Sequence, residues 1–372
     1  MSQLNTTSIG IDEMVEEFVL DSKSNYSRCP EEFPKEGLNL LRKQGAMQCS
    51  IPIAYGGKGF GTSSKNFELL NLLRTVGAYD LSLGRILEGH INALLLIDLY
   101  GNKNQKKRYF DEAKQGVLFG VWNSELPYEA LKIREQSGTF KLEGAKIFCS
   151  GASNVYRPII TAQGLAGKHM IILHLEHTNL KEDYSYWNPL GMIGSVSCRF
   201  DFTDLAVCKE QLLGAPNDYE REPDFSGGAV RFAAVQLGGA EATTKVTLNH
   251  LLKLNRTGNP DQVRRMAGLS ILLERGRAWL EKVANIADNK IGRPQDYVHY
   301  ANMFRTEARD ICEEILRLSE MSVGLQGVMA SHPLERIHRD LSVYLKQPGP
   351  DRVTSEIGKF FISSHIEHDK LD

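Results

Sequence analysis

The hydrophobic pattern of this chain changes period twice, and that restricts it to a helical unit, a β unit and a second helical unit in series. Between about residues 11 and 118 apolar side chains recur at helical spacing, as in Leu69, Leu70, Leu73 and Val76, with Gly and Pro between segments. From Phe119 to Gly214 the runs become short and β-rich, at 119–122, 159–162, 170–174 and 198–202, separated by Gly, Pro, Asn and Asp. Helical periodicity returns from Gly228 to about Leu318 and again after Pro333. The expected fold class is α+β: an N-terminal helical domain over 1–118, a middle antiparallel β-barrel or sandwich over 119–214, and a C-terminal helical bundle over 215–372. The polar stretch from Pro216 to Ser226 reads as the linker. At 372 residues, 42% of them hydrophobic, the chain has apolar material for a large core divided among two or three domains.

A formal net charge of −2 makes no electrostatic case for nucleic acid or an anionic membrane surface. The N-terminus shows no charged-then-apolar signal pattern, and the longest apolar-rich stretch, Ile91 to Leu99, is about half a membrane span. That reads as a cytoplasmic protein. Cys29, Cys49, Cys149, Cys198, Cys208 and Cys312 form no C-x-x-C pair, the ten histidines are dispersed and no G-x-S-x-G elbow occurs. Neither a metal centre nor a nucleophilic triad is expected. The glycines of Tyr55-Gly-Gly-Lys-Gly-Phe-Gly61 suit a tight bend between helices, and no Lys-Ser/Thr follows to complete a phosphate loop.

Further motifs lie in a fixed order. Leu99-Tyr-Gly101 precedes Gln105-Lys-Lys-Arg-Tyr109, and Leu142-Glu-Gly-Ala-Lys146 leads into Phe148-Cys-Ser-Gly-Ala152. Then come Leu190-Gly-Met-Ile-Gly-Ser195, Gly324-Leu-Gln-Gly327, Pro333-Leu-Glu-Arg336 and Arg339-Asp340. Taken together, and with the Tyr55 turn, this series resembles the acyl-CoA dehydrogenase superfamily along the whole chain. The resemblance implies an FAD-dependent oxidoreductase and a homodimer or homotetramer assembled through the C-terminal helices. It also implies a small-molecule substrate such as a CoA thioester, and an electron-transfer partner or flavin reductase.

The same resemblance suggests where the cofactor would be held. Trp122, Asn123 and Ser124 stand where the family has its T-E-P segment, and Phe148, Ser150 and Gly151 where it has the strand flanking the flavin ring. Arg256 stands where a family Arg reaches the neighbouring subunit's cofactor, and Gly324 and Gly327 match the adenylate-side glycines. A buried barrel side chain is the alternative for Trp122 and Phe148, and a helix-capping surface cation for Arg256. The chain departs from the family in three places: Leu126-Pro-Tyr-Glu-Ala130 replaces a G-S-D turn, Thr257-Gly258 replaces F-G after the Arg, and Met321 replaces a Gln.

Dehydrogenation needs a carboxylate to take the α-proton while a hydride leaves the β-carbon. The family position for that Glu is Pro348 in one register and Arg352 in another, and the alternative position on the first helix after the β-domain is Val230 or Ala229. The catalytic candidates are therefore His90, Asp351 and Glu356, each with a bland alternative: a satisfied core histidine or solvated surface acids. His90 and His332 also resemble histidines of the flavin-dependent monooxygenase branch, in which reduced flavin reacts with O2 and no Glu base is needed. Three readings stay open: an oxidoreductase acting on the CH-CH group of an acyl thioester or related substrate, a flavin-dependent monooxygenase of the same fold, and a catalytically silent binding protein.

Overall fold

The computed structural model describes residues 31–368 apart from Ser63 and Ser137. Cys29 and the start of the expected N-terminal helical region lie outside the described residues. Among the described residues four α-helices come first: α1 Lys35–Lys43, α2 Asn66–Tyr79, α3 Leu81–Tyr100 and α4 Lys103–Lys114. Asp80 both ends α2 and caps α3, its carboxylate accepting from the backbone N–H of Leu83. A capping box between Asn102 and Gln105 opens α4. The Gln105 amide then donates to the carbonyls of Glu210 and Leu212, at 3.0 and 2.8 Å, tying the helix to the edge of the β region. That is the structural content of the Q-K-x-x-Y motif.

The β region comprises two sheets. In one, β10 (Leu212–Leu213), β6 (Gly167–Ile172), β5 (Arg157–Gly164), β2 (Lys132–Gln136), β3 (Thr139–Glu143) and β9 (Ala206–Val207) lie in that order, with β1 (Phe119–Trp122) added beside β5. In the other, β8 (Cys198–Asp201) lies between β4 (Ala145–Cys149) and β7 (Glu182–Asp183). Most neighbours are antiparallel, as expected, but β1 and β2 run parallel to β5. Parallel pairing needs a long connection between partners, and the excursion through β2, β3 and β4 supplies one.

Five helices follow: α5 Asp224–Lys253, α6 Pro260–Asn289, α7 Pro294–Val323, α8 Pro333–Tyr344 and α9 Pro350–His368. Proline at the first helical position of α6, α7 and α8 sets the turn where its missing N–H costs nothing. The linker expected over 216–226 is shorter than its composition suggests, because α5 already begins at Asp224. Helix α2 meets α5 backbone against backbone. A Cβ on Gly238 would stand 2.0 Å from the carbonyl oxygen of Arg74, and one on Gly77 2.3 Å from that of Val235.

The Arg339-Asp340 motif is a clamp between α8 and the β region. Arg339 donates to the carbonyl of Leu190 at 2.7 Å, and Asp340 accepts from the N–H of Met192 at 2.5 Å. Between them Gly191 lies so close to α8 that a Cβ would sit 2.2 Å from the carbonyl oxygen of Arg339. Arg336, one turn earlier, reaches Asp80 at 3.2 Å. The L-G-M and P-L-E-R-x-x-R-D motifs thus form one three-way junction of α3, the β region and α8.

Candidate active site

The strand β4 delivers three of the expected residues to one place. Phe148 holds a left-handed φ of 54° and leaves its ring 49% exposed, with Trp187 edge-on at 6.1 Å. Ser150 is buried, and its hydroxyl lies 2.9 Å from that of Ser197, which lies 2.8 Å from that of Ser195. Three hydroxyls linked by two hydrogen bonds keep one O–H in hand, so the row can present a donor at its Ser150 end. Gly151 follows with φ of 88°, and its N–H donates to the Ser195 carbonyl, closing the loop against the L-G-M segment.

Trp122 takes the alternative role. It is fully buried, stacks on Phe200 with ring centroids 5.2 Å apart, and donates its indole N–H to the Ser150 carbonyl. It supports the Ser150 turn from beneath. Asn123 accepts from Thr161 and from the Lys146 ammonium, while Ser124 is exposed and uses its carbonyl to accept from Ile147. In place of a G-S-D turn, Pro127–Glu129 form a short 3-10 turn, with Glu129 bound to Arg199 at 2.9 Å.

Lys146 is a residue whose importance only the fold reveals. Its side chain is 1% exposed, and its ammonium is held by Glu125, the Asn123 carbonyl and the Thr161 hydroxyl. Burial pulls its pKa below the ordinary lysine value and Glu125 opposes that pull. The pair fixes the Asn123–Glu125 segment to β4 next to Phe148. The only sequence signal for it was the lysine inside the L-x-G-x-K pattern.

Of the two roles expected for His90, catalytic residue or satisfied core histidine, its contacts are those of the second. It is fully buried, with Nε2 2.9 Å from the Met47 carbonyl and Nδ1 accepting from the N–H of Phe119. Both ring nitrogens join α3 to neighbouring backbone, and the bonding requires the neutral imidazole. Burial lowers its pKa to about 4. Since the folded value lies below the unfolded one, the neutral-state stability is complete above about 6.5 and is lost as pH falls from 6.5 toward 4. We expect His90→Gln to remove a large part of an acid-induced destabilisation of about 3 kcal/mol over that window, read by urea unfolding at pH 7 and pH 4.5.

Asp351 and Glu356 both lie on α9. Asp351 is exposed in the first turn of α9, and Glu356 is paired along the helix with Arg352 at 2.6 Å. The preceding loop is fastened to the bundle: Arg305 donates to the Pro348 carbonyl at 3.1 Å and Gln347 to that of Tyr344 at 2.8 Å. A local charge pair and a backbone anchor hold this segment where the family register would want a base. His332 caps α8 and lies 3.1 Å from His250, with Lys253 nearby. Arg256 is exposed beyond the end of α5. Gly324 takes a φ of 71° in an open turn, and Gly327 packs under Leu334.

A narrow crevice of about 10 Å³, room for about one water molecule, lies between α3 and β1 beside Ser150. Arg85, Gly89, Gly120 and Trp122 are among its lining residues. Arg85 pairs with Glu88, whose other oxygen accepts from Asn92, which in turn accepts from Arg231. Glu88 is thus a buried acid close to the crevice that sequence reasoning passed over, and both its oxygens are engaged. His174, Glu176 and His177 bring three metal-ligating atoms together, but Arg108 bonds His174 and Arg157 bonds Glu176, which disfavours a cation there.

Residues 10–116 match the family described as "Acyl-CoA dehydrogenase, N-terminal domain". The chain is similar to an acyl-CoA dehydrogenase of Bacillus subtilis (strain 168), with 24% identity over 359 residues, covering 90% of each. Its fold is similar to that of butyryl-CoA dehydrogenase from Megasphaera elsdenii, with a TM-score of 0.83 at 16% identity, covering 97% of this chain and all of the other. A dibenzothiophene monooxygenase from Paenibacillus sp. A11-2 has a TM-score of 0.81 at 17% identity, covering 95% and 96%.

Proposed function

Because the chain is a divergent member of the acyl-CoA dehydrogenase superfamily, we propose that it is an FAD-dependent oxidoreductase acting on the CH-CH group of an acyl thioester or a related small molecule. The observation that carries this reading is the β4 turn, where a half-exposed aromatic ring, a three-hydroxyl row and a left-handed glycine stand side by side. A planar ring system needs an apolar wall and directed donors at its edge, and Phe148 and the Ser150 hydroxyl supply one of each. A bound flavin would supply hydride acceptance or, once reduced, oxygen activation. Phe148 would pack against its ring, Ser150 would donate to its polar edge, and the Lys146–Glu125 pair would keep the adjoining segment in register.

A second reading, a flavin-dependent monooxygenase of the same fold, is favoured by the fate of the base. Pro348 and Val230 carry no acid, Asp351 is exposed, Glu356 is paired with Arg352, and Glu88 is bound at both oxygens. FMN then competes with FAD as the cofactor, as in the FMN-bound form of the Paenibacillus monooxygenase. The exposed apolar side chains Leu248, Leu252, Met321, Leu325, Val328 and Met329 support a homodimer or homotetramer through the C-terminal helices, with Arg256 beside that face. Sedimentation should give a dimer or larger. No helix among the described residues is long and apolar enough to cross a membrane, in keeping with a cytoplasmic location.

The test is an absorbance titration with FAD and FMN followed by anaerobic addition of an acyl-CoA panel. Loss of the oxidised flavin band on thioester addition supports the dehydrogenase. Bound flavin that ignores every thioester, yet consumes O2 after chemical reduction, moves the assignment to the monooxygenase. Protein that takes up neither cofactor overturns both. On the same titration, Ser150→Ala should weaken flavin binding by about fivefold to tenfold through one lost hydrogen bond, with little change in unfolding temperature.

A further inference from the structure

We propose that one small monovalent anion, of the chloride and bromide class, binds in a cavity between α5, α7 and the start of α9, with Arg305 as its chief ligand. The cavity measures about 20 Å³, room for one or two water molecules, and Phe232, Arg305, Arg309, Gln347 and Val353 are among the residues that line it. Arg305 is half-buried. One of its N–H groups donates to the Pro348 carbonyl at 3.1 Å, and its guanidinium lies 5.3 Å from the centre of the Phe232 ring. A guanidinium carries five in-plane donors, and the ring face accepts none of them. Among the described residues no carboxylate pairs with Arg305. Burial lowers its pKa, Arg352 and Arg309 lower it further, and Glu356 opposes them. Both neighbouring arginines have their own acids, Asp310 for Arg309 and Glu356 for Arg352. Three guanidinium groups therefore share two carboxylate partners, and one positive charge is left over beside the cavity.

A charge removed from water without a partner is costly, and a counter-ion in the cavity supplies that partner through charge-assisted hydrogen bonds. Size selects the ion. A halide takes the place of about one water, whereas phosphate, sulfate or a bound carboxylate needs more than the space of two. The lining selects further, because Phe232, Leu345, Pro350 and Val353 give apolar walls that cannot replace the tight hydration shell of a small hard anion. The cavity also borders the first turn of α9, a helix of 19 residues whose amino end favours negative charge. The ion would brace the segment 347–350 from inside: Gln347 and Pro350 line its cavity, and Arg305 already holds Pro348. This is the loop in which one family register places the missing base, so its order becomes dependent on the anion present.

Thermal unfolding of the full chain is followed while sodium chloride or sodium bromide replaces sodium gluconate, an anion too large for the cavity, at one fixed ionic strength. Either halide should raise the unfolding temperature along a saturating curve, by about 2 °C at ten times the half-saturating concentration. Arg305→Met should remove the saturating part and Arg305→Lys should keep some of it. Should Arg305→Met fail to fold because the Pro348 carbonyl loses its donor, crystals of the unaltered protein soaked in bromide decide the matter by anomalous scattering. A bromide peak beside the Arg305 guanidinium is the expected result. Halides that do no better than gluconate, a saturating curve that survives Arg305→Met, or soaked crystals with no peak between α5, α7 and α9 would overturn the inference. None of these measurements needs a flavin, so they stand or fall apart from the flavoenzyme reading.

Discussion

Gly238→Ala should destabilise the protein by about 3 kcal/mol or more, one of the two largest single-residue effects expected in this fold. The added methyl would stand 2.0 Å from the Arg74 carbonyl oxygen and 2.5 Å from the Ala78 nitrogen, both backbone atoms of or beside a helix that cannot rotate away. Relief requires α2 and α5 to separate, which opens the core around Leu73, Val76 and Val235. Gly358→Ala is the internal control. It lies on the exposed side of α9 with nothing within 4 Å of its Cβ position, so the same change should stabilise by about 0.5–1 kcal/mol through helix propensity. Chemical unfolding of the two variants should therefore move in opposite directions. A Gly238→Ala protein as stable as the parent would mean that the helices do not cross this closely.

The second large effect is asymmetric. Glu125→Leu should cost about 3 kcal/mol, because it strands the Lys146 ammonium in the interior, while Lys146→Met should cost clearly less. The asymmetry follows from burial: the Lys146 side chain is 1% exposed, whereas that of Glu125 is 30% exposed and can still reach water when left alone. The pH dependence separates this from a packing defect. Stranded Lys146 has a folded pKa below its ordinary 10.5, so the unfolded chain binds more protons across that interval and stability rises with pH. The deficit of Glu125→Leu should thus shrink as pH approaches 10. A deficit independent of pH would indicate that the ion pair is not what holds the Asn123–Glu125 segment in place.

Both effects bear on function through position. Gly238 sits on the helix that also carries Arg231, and Lys146 sits two residues before Phe148. A shift in α5 would be felt through Arg231 by the Asn92–Glu88 pair, and a shift at Lys146 by the end of β4.

The order of helices, β region and helices was readable from the chain alone, because periods of 3.6 and 2 are properties of neighbouring residues and need no tertiary partner. So was the family resemblance, since its motifs are short and contiguous. The grouping of Phe148, Ser150 and Gly151 followed for the same reason: residues within four positions at one strand end stay together in any fold. The rest depended on partners distant in sequence. His90 reads as a catalytic histidine until Met47 and Phe119 are seen to occupy both its nitrogens. Trp122 reads as a ring wall until Phe200 covers it. Arg339-Asp340 reads only as one motif in a series until Asp340 is seen to hold the Met192 N–H, 148 residues away. Arg85 carries no motif at all, and only the approach of α3 to β1 makes it line a crevice. Local pattern determines which elements form. Which polar atoms remain free for chemistry is settled by through-space pairing, as with Arg336 and Asp80, 256 residues apart.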